Sequence, residues 1–325
     1  ADQAMNFTDI DLLGAGPVAE QLARSFDEYW NNQLSVPIQR FLWSQPKASR
    51  LDKARQELRD HLQQARQDNS KQYQRLMQYK QRPQLQQWLE ELIWAPGEAM
   101  WDAPEKLLAE GVPAASLLLT AQLAPSMQAV SQELTLVSAY FVPTDSGVDY
   151  LADRAEAGVV VRVLTNSLEA TDVPAVHGGY APYRERMLEL GVRLFELRRQ
   201  PEQEPSYSFL GESESSLHSK AAVFDQEKVF IGSLNLDPRS ILWNSEVGIL
   251  VESPELAREV HRLTLEGMSP AVSYEVRLEE RGGQRQLVWI AEDGGRLRVI
   301  EKEPGGLWRR FNAWFSNVIG LEKML

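Results

Sequence analysis

Apolar residues recur at two spacings along this chain, and the change from one to the other divides it. Residues 10–18, "IDLLGAGPV", form a nearly continuous apolar run and predict a strand. In the following "AEQLARSFDEYWN", Leu22, Phe26, Tyr29 and Trp30 recur at i, i+4, i+7 and i+8, the spacing of one helix face. Residues 47–92 are rich in Gln, Arg, Lys, Asp and Glu. Their apolar positions are sparse (Leu51, Leu58, Leu62, Leu76, Leu85), which predicts helices on a solvated surface. Pro83, Pro96, Pro104 and Pro113 punctuate the next stretch.

From about residue 125 the texture alternates. "MQAVSQEL" predicts a helix, "TLVSAYFVP" a strand, and "SGVDYLADRAEAG" a helix stopped by Gly158. "VVVRVLTNS" is the unbroken apolar run of a strand buried on both faces. "YAPYRERMLELG" is a helix ending at Gly191, and "VRLFEL", "KAAVF", "KVFIGS" and "SEVGILVES" are strands. Strand–helix alternation of this kind predicts an α/β fold, a mixed sheet flanked by helices. Residues 272–300 alternate around Gly-Gly pairs at 282–283 and 294–295, which predicts an antiparallel meander. The tail "LWRRFNAWFSNVIGLEKML" predicts an amphipathic helix.

Composition narrows the possible chemistry. The 325 residues are 43% hydrophobic, enough for a sizeable core. The absence of cysteine excludes disulfides, thiolate–zinc sites and thiol catalysis. A net charge of −12 counts against nucleic acid as a partner, because phosphate-backbone binding draws on a basic excess. No apolar run reaches the roughly 18–20 residues of a membrane span, and no signal peptide is visible.

The candidate chemistry lies in "LHSKAAVFDQEKVFIGSLNLDPRS", residues 217–240. His218, Lys220 and Asp225 have the spacing H-x-K-x4-D; Ser233 and Asn235 follow, and Glu246 comes shortly after. Residues two apart in a strand share a face, so His218 and Lys220 are expected together, with Ser233 and Asn235 reaching them from the next strand. An imidazole, an ammonium, a hydroxyl and an amide on one spot suit a phosphodiester. Lysine neutralises the non-bridging oxygens, and histidine attacks phosphorus or protonates the leaving alcohol. Glu246 is the candidate to hold the imidazole tautomer. Asp225 opens the turn between two strands, and its expected work is on backbone or an ion pair. Asp237-Pro238 predicts a helix start whose dipole favours phosphate. Arg239 is a candidate phosphate contact, with a carboxylate pair as the alternative. Thr165, Asn166, Ser167 and His177 follow a parallel strand where α/β sheets place ligands, so they are candidates for a headgroup pocket; a capping and turn loop is the alternative.

These segments, "HSKAAVFD", "GSLNLDPRS" and "NSE", resemble the HKD signature of the phospholipase D superfamily. Residues 134–197 resemble the second repeat of bacterial cardiolipin synthase-type members, of the C-type branch. Residues 7–31 resemble the last strand and helix of the first repeat. The resemblance implies a phosphatidyltransferase that works through a phosphohistidine, needs no metal or other cofactor, and takes phospholipid substrates at a membrane surface. A bacterial inner-membrane, peripheral location is implied with it. Family enzymes bring two HKD sets to one site, one histidine as nucleophile and the other as acid and base; His218, in the second set, is expected to be the acid–base partner. Only one set is present here: His61, His177 and His261 lack a lysine two residues on. The partner is therefore expected to be the first HKD-containing half of the same protein or a second copy. The missing initiator Met and the first-repeat remnant favour the former.

The expected organisation is the end of a first repeat (1–43), a helical insertion or linker (44–124), the HKD domain (125–270), and a C-terminal meander with amphipathic helix (271–325). That helix and Trp43, Trp88, Trp94 and Trp101 are candidates for the bilayer interface, with core packing as the alternative. The rival readings of function are a phosphodiesterase hydrolysing lipid or nucleic acid, and a non-catalytic lipid-binding fragment.

Overall fold

Ten strands form one mixed sheet. In the computed structural model, which describes residues 6–42, 44, 47–68, 73–74, 77, 92–199, 215–306 and 309, the chain divides into two units. One is Ala1–Glu28 with Ala95–Leu325; the other is Tyr29–Trp94. The C-terminal amphipathic helix, apart from Arg309, and Trp43 and Trp88 lie outside the described residues.

In chain order the first unit contains β1 (Asn6–Thr8), α1 (Pro17–Trp30, whose last two residues fall in the second unit), β2 (Gly97–Trp101), α3 (Leu119–Ala129), β3 (Glu133–Ser138), α4 (Thr144–Glu156), β4 (Val160–Asn166), α5 (Pro174–Tyr180), α6 (Arg184–Glu189) and β5 (Arg193–Leu197). Then come β6 (Ser215–Leu217), β7 (Lys220–Phe224), β8 (Lys228–Gly232), α7 (Pro238–Leu242), β9 (Val247–Glu252), α8 (Pro254–Gly267), β10 (Ser273–Arg281), β11 (Gln284–Asp293) and β12 (Arg296–Ile300). The second unit holds a 3-10 turn, Ile38–Phe41, and α2 (Ala48–Gln67). No residue of α2 is buried, and Leu51, Leu58 and Leu62 are exposed, as the sparse apolar spacing predicts.

Strand order across the sheet is β12-β11-β10-β5-β4-β3-β7-β8-β9-β2. The strands β3, β4 and β5 run parallel, linked by helical crossovers; β7, β8 and β9 are antiparallel neighbours. The predicted meander, β10 to β12, adds to β5 and so extends the same sheet. Gly97–Trp101, within the stretch expected to be helical, is instead an edge strand paired with β9. Its three apolar residues, Ala99, Met100 and Trp101, are consecutive, so no alternation announces a strand locally. Central strands are apolar on both faces because each face carries a core. One core gathers Leu134, Leu136, Val161, Val163 and Leu194 with Tyr180 and Met187; the other gathers Leu164, Val223, Val229 and Ile231 with Ala257 and Val260 of α8.

The expected strand over residues 10–18 does not form. β1 is a three-residue strand upstream of it, parallel to β6. Residues 9–15 have no regular structure, and Gly16 (φ +66°) ends them before Pro17 starts α1. Ile10 and Leu12 instead pack as side chains against the second core. Among the described residues no helix is long and apolar enough to cross a membrane.

Candidate functional site

The site lies where β6, β7, β8 and β9 meet the stretch after β1. His218 and Lys220 are not two residues of one regular strand: β6 ends at Leu217 and β7 begins at Lys220. The break turns His218 out while Ser219 and Lys220 are buried. The Lys220 ammonium folds back to donate to the His218 carbonyl. Asn166 fixes this break. Its side-chain carbonyl accepts the Leu217 N–H at 2.8 Å, and its amide donates to the Leu217 carbonyl at 3.0 Å and the Ala139 carbonyl at 3.1 Å. A buried amide that satisfies all these groups acts as a pairing partner for the residue before His218.

Asp9 holds the imidazole. Its Oδ2 lies 2.8 Å from His218 Nδ1. With the proton on Nδ1 facing this carboxylate, the lone pair is left on Nε2. The carboxylate expected in that role, Glu246, accepts instead from the Ser233 hydroxyl. The Ser233 oxygen in turn accepts the Val247 N–H at 3.0 Å. Asn235 is buried and accepts the Tyr140 N–H at 3.3 Å. His218, Lys220, Ser233 and Asn235 line one open cleft of about 530 Å³ with Asp9, Asp11, Gly232 and Gly248. Gly232 and Gly248 face each other across β8 and β9. A Cβ on Gly232 would sit 2.4 Å from the Val247 carbonyl oxygen, and one on Gly248 2.3 Å from the Phe230 ring, so the floor requires two glycines.

The electrostatics follow from burial. Desolvation lowers the Lys220 pKa, while the charges of Asp9, Glu246, Asp172 and Asp237 oppose that. Burial raises Glu246; hydrogen bonds from Ser233, Ser240 and Asn244 pull it back, and the Asp102 charge pushes it up again. Asp237 is also raised by burial and caps α7, its Oδ1 accepting the Ser240 N–H at 3.0 Å. α7 has only five residues, which leaves little of the expected helix dipole for a phosphate. Arg239 in its first turn is exposed, and its charge lowers the Asp237 pKa.

Other predicted residues lie elsewhere. Asp225 is at the far end of β7, in a hairpin turn where it and Gln226 adopt φ of +52° and +55°. Its carboxylate accepts the N–H groups of Ser131, Gln132 and Glu133, the last two at 2.7 and 2.8 Å. The third letter of the motif thus holds the start of β3 and does not enter the cleft. The expected headgroup pocket is closed. Thr165 and His177 are buried around a cavity of about 10 Å³, room for one water, and Ser167 caps its own loop by accepting the Ala170 N–H at 3.2 Å. His177 Nε2 is 2.7 Å from Glu303, which also meets Arg184 at 2.6 Å.

Several participants were not foreseen. Tyr140 donates its phenol to Asp172, 2.9 Å from both oxygens, beside Asn235. Asp102 and Lys106 form a buried pair behind Glu246. For Asp9 a signal existed: Asp9 precedes Pro17 by the spacing at which Glu246 precedes Pro254, and each proline opens a helix of 14 residues. Among the described residues no cluster of metal-ligating side chains occurs.

Residues 123–265 match the family described as "Cardiolipin synthase, PLD-like domain". Over 98% of its length the chain is 32% identical to cardiolipin synthase C of Escherichia coli strain K12, covering 66% of that protein. It is 26% identical over 93% of its length to an uncharacterized protein of Helicobacter pylori strain 26695, covering 58% of it. The chain therefore spans somewhat less than two thirds of the relatives it matches. The crystal structure of Nuc, a phospholipase D family member from Salmonella typhimurium, superposes with a TM-score of 0.40 at 14% identity, over 57% of this chain and 99% of that one.

Proposed function

The chain belongs to the phospholipase D superfamily, in its cardiolipin synthase branch, and from that premise we propose that it is the second half-site of a phosphatidyltransferase. The observation that carries this reading is the cleft in which Asp9 orients the His218 imidazole beside the Lys220 ammonium. Lys220 neutralises a non-bridging phosphate oxygen, and the amide of Asn235 donates to another. His218 serves as acid and then base. In the first step it enters as the imidazolium, with Nδ1–H on Asp9. Its Nε2 proton goes to the leaving alcohol as the histidine of a complementary HKD set takes the phosphatidyl group through a new N–P bond, which leaves the Nε2 lone pair free to act as base. His218 then removes the proton of an acceptor hydroxyl, whose oxygen displaces the phosphohistidine nitrogen. Phosphatidylglycerol as acceptor gives cardiolipin. This printed sequence holds a single H-x-K-x4-D, so the complementary set comes from another part of the polypeptide or from a second copy. The chemistry belongs at a membrane surface, where the lipid phosphodiester lies.

The test is product analysis with the polypeptide carrying both sets, in vesicles containing phosphatidylglycerol. Cardiolipin, lost in His218→Ala, supports transfer. Phosphatidic acid without cardiolipin would instead establish hydrolysis, and equal, negligible turnover with and without His218 would remove the enzymatic reading altogether.

A further inference from the structure

Behind Glu246 lies an ion pair that neither the motif nor the matched 123–265 stretch contains. Lys106 Nζ and Asp102 Oδ2 are 2.7 Å apart with side chains 0% and 1% exposed. Burying two charges costs several kcal/mol, and an apolar pair of the same volume commonly serves stability as well or better. The hydrogen bonds of this pair show what it does instead.

β2 and β9 pair up to Trp101 opposite Val247, and the next two residues along are Asp102 and Glu246. There the Asp102 N–H donates to the Glu246 carbonyl at 3.0 Å, as in a ladder. The return bond is different. The Glu246 N–H donates at 2.9 Å to the Asp102 carboxylate, which takes the place of a backbone carbonyl. The other carboxylate oxygen accepts the Leu119 N–H at 2.6 Å. Lys106 adds a bond of 3.1 Å to the Ser240 carbonyl, within α7. One buried pair thus grips residues 240 and 246, both ends of the loop that delivers the Glu246 side chain to Ser233.

We propose that Asp102 and Lys106 are positioning residues that set the place of the Glu246 carboxylate at the cleft. The functional consequence rests on the phosphatidyltransfer reading; the positioning itself does not. The groups facing Glu246 are Asp102 from the β2 side, with Lys106 paired behind it, Ser240 of α7, Asn244 after α7, Ser233 after β8, and Lys220 on β7.

The experiment has two arms. On this chain, the Glu246 side-chain carboxyl is followed by ¹³C NMR against pH in the wild type, Asp102→Asn and the double variant Asp102→Leu/Lys106→Met. The double variant leaves no lone buried charge and keeps the test valid if a single change unfolds the protein. In the polypeptide carrying both HKD sets, the same variants are assayed for turnover. The expected result is a Glu246 titration displaced toward acid in Asp102→Asn, and turnover per folded molecule lowered about 10–100-fold in the double variant, whose stability also falls because the Leu119 and Glu246 N–H groups lose their acceptor. Loss of stability with the Glu246 titration unmoved, or a folded double variant with full turnover, overturns the proposal. If the wild type shows no turnover on any lipid, the function reading fails, while the NMR arm still decides whether the pair positions Glu246.

Discussion

Asp9 Oδ2 and His218 Nδ1, 209 residues apart in the chain, meet at 2.8 Å. The carboxylate comes from the stretch after β1 and the imidazole from the break between β6 and β7, so the pair joins two distant segments at one cleft. Replacing Asp9 with Ala is expected to release the Nδ1–H tautomer, seen by ¹⁵N NMR as growth of the Nε2–H form. Turnover of the two-set enzyme should fall about 10–100-fold, as when a group that orients a reactive histidine is lost.

Phosphate binding should weaken with rising pH before the ordinary lysine value of 10.5, because burial lowers the Lys220 pKa and a neutral amine no longer attracts the anion. Asp9 is the strongest of the charges opposing that shift, so Asp9→Asn should move the decline to still lower pH. Affinity for inorganic phosphate measured across the alkaline range checks this. A decline that begins only above 10.5 would contradict it.

Asp225→Ala should cost stability, about 1–3 kcal/mol, because three β3-edge N–H groups lose their acceptor. Since Asp225 lies away from the cleft, turnover of the folded fraction should stay unchanged. Denaturant melts beside an activity assay separate the two effects, and a large loss of turnover per folded molecule would return Asp225 to the chemistry.

Gly248→Ala places a methyl group 2.3 Å from the Phe230 ring. The expected outcome is a loss of about 1–3 kcal/mol or more from overpacking. Phe230→Leu in the same chain should recover part of it, as read by thermal melting.

Glu303 gives the protein a dependence on acid. Burial alone would raise its pKa, but the His177 hydrogen bond and the Arg184 charge overcome that and hold it at about 2, against 4.5 ordinarily. A carboxylate with a depressed folded pKa adds stability that is complete above 4.5 and is lost as pH falls toward 2. Stability measured between those values should fall in the wild type and fall less steeply in Glu303→Gln, which also starts lower at neutral pH.

What the sequence determined by itself was local. Period 3.6 and period 2 runs, with glycines at helix ends, were enough for the α/β alternation from residue 125. The spacing of His218, Lys220, Ser233 and Asn235 was enough to bring those four side chains to one cleft, because they are neighbours along adjacent strands. The tertiary structure decided whatever depends on distant segments. Residues 10–18 look like a strand but find no ladder to join, and their last two residues start α1. Asn166 and His177 look alike in the sequence as residues after a parallel strand, but the fold gives the Asn166 amide to Leu217 and Ala139 and His177 Nε2 to Glu303. Asp9, Asp102 and Lys106 carry no motif, and only the folded sheet brings them to His218 and Glu246. The physical reason is that a polar side chain's role is set by which donors and acceptors it meets when water is removed. Those partners, for this protein, lie tens to hundreds of residues away in the chain.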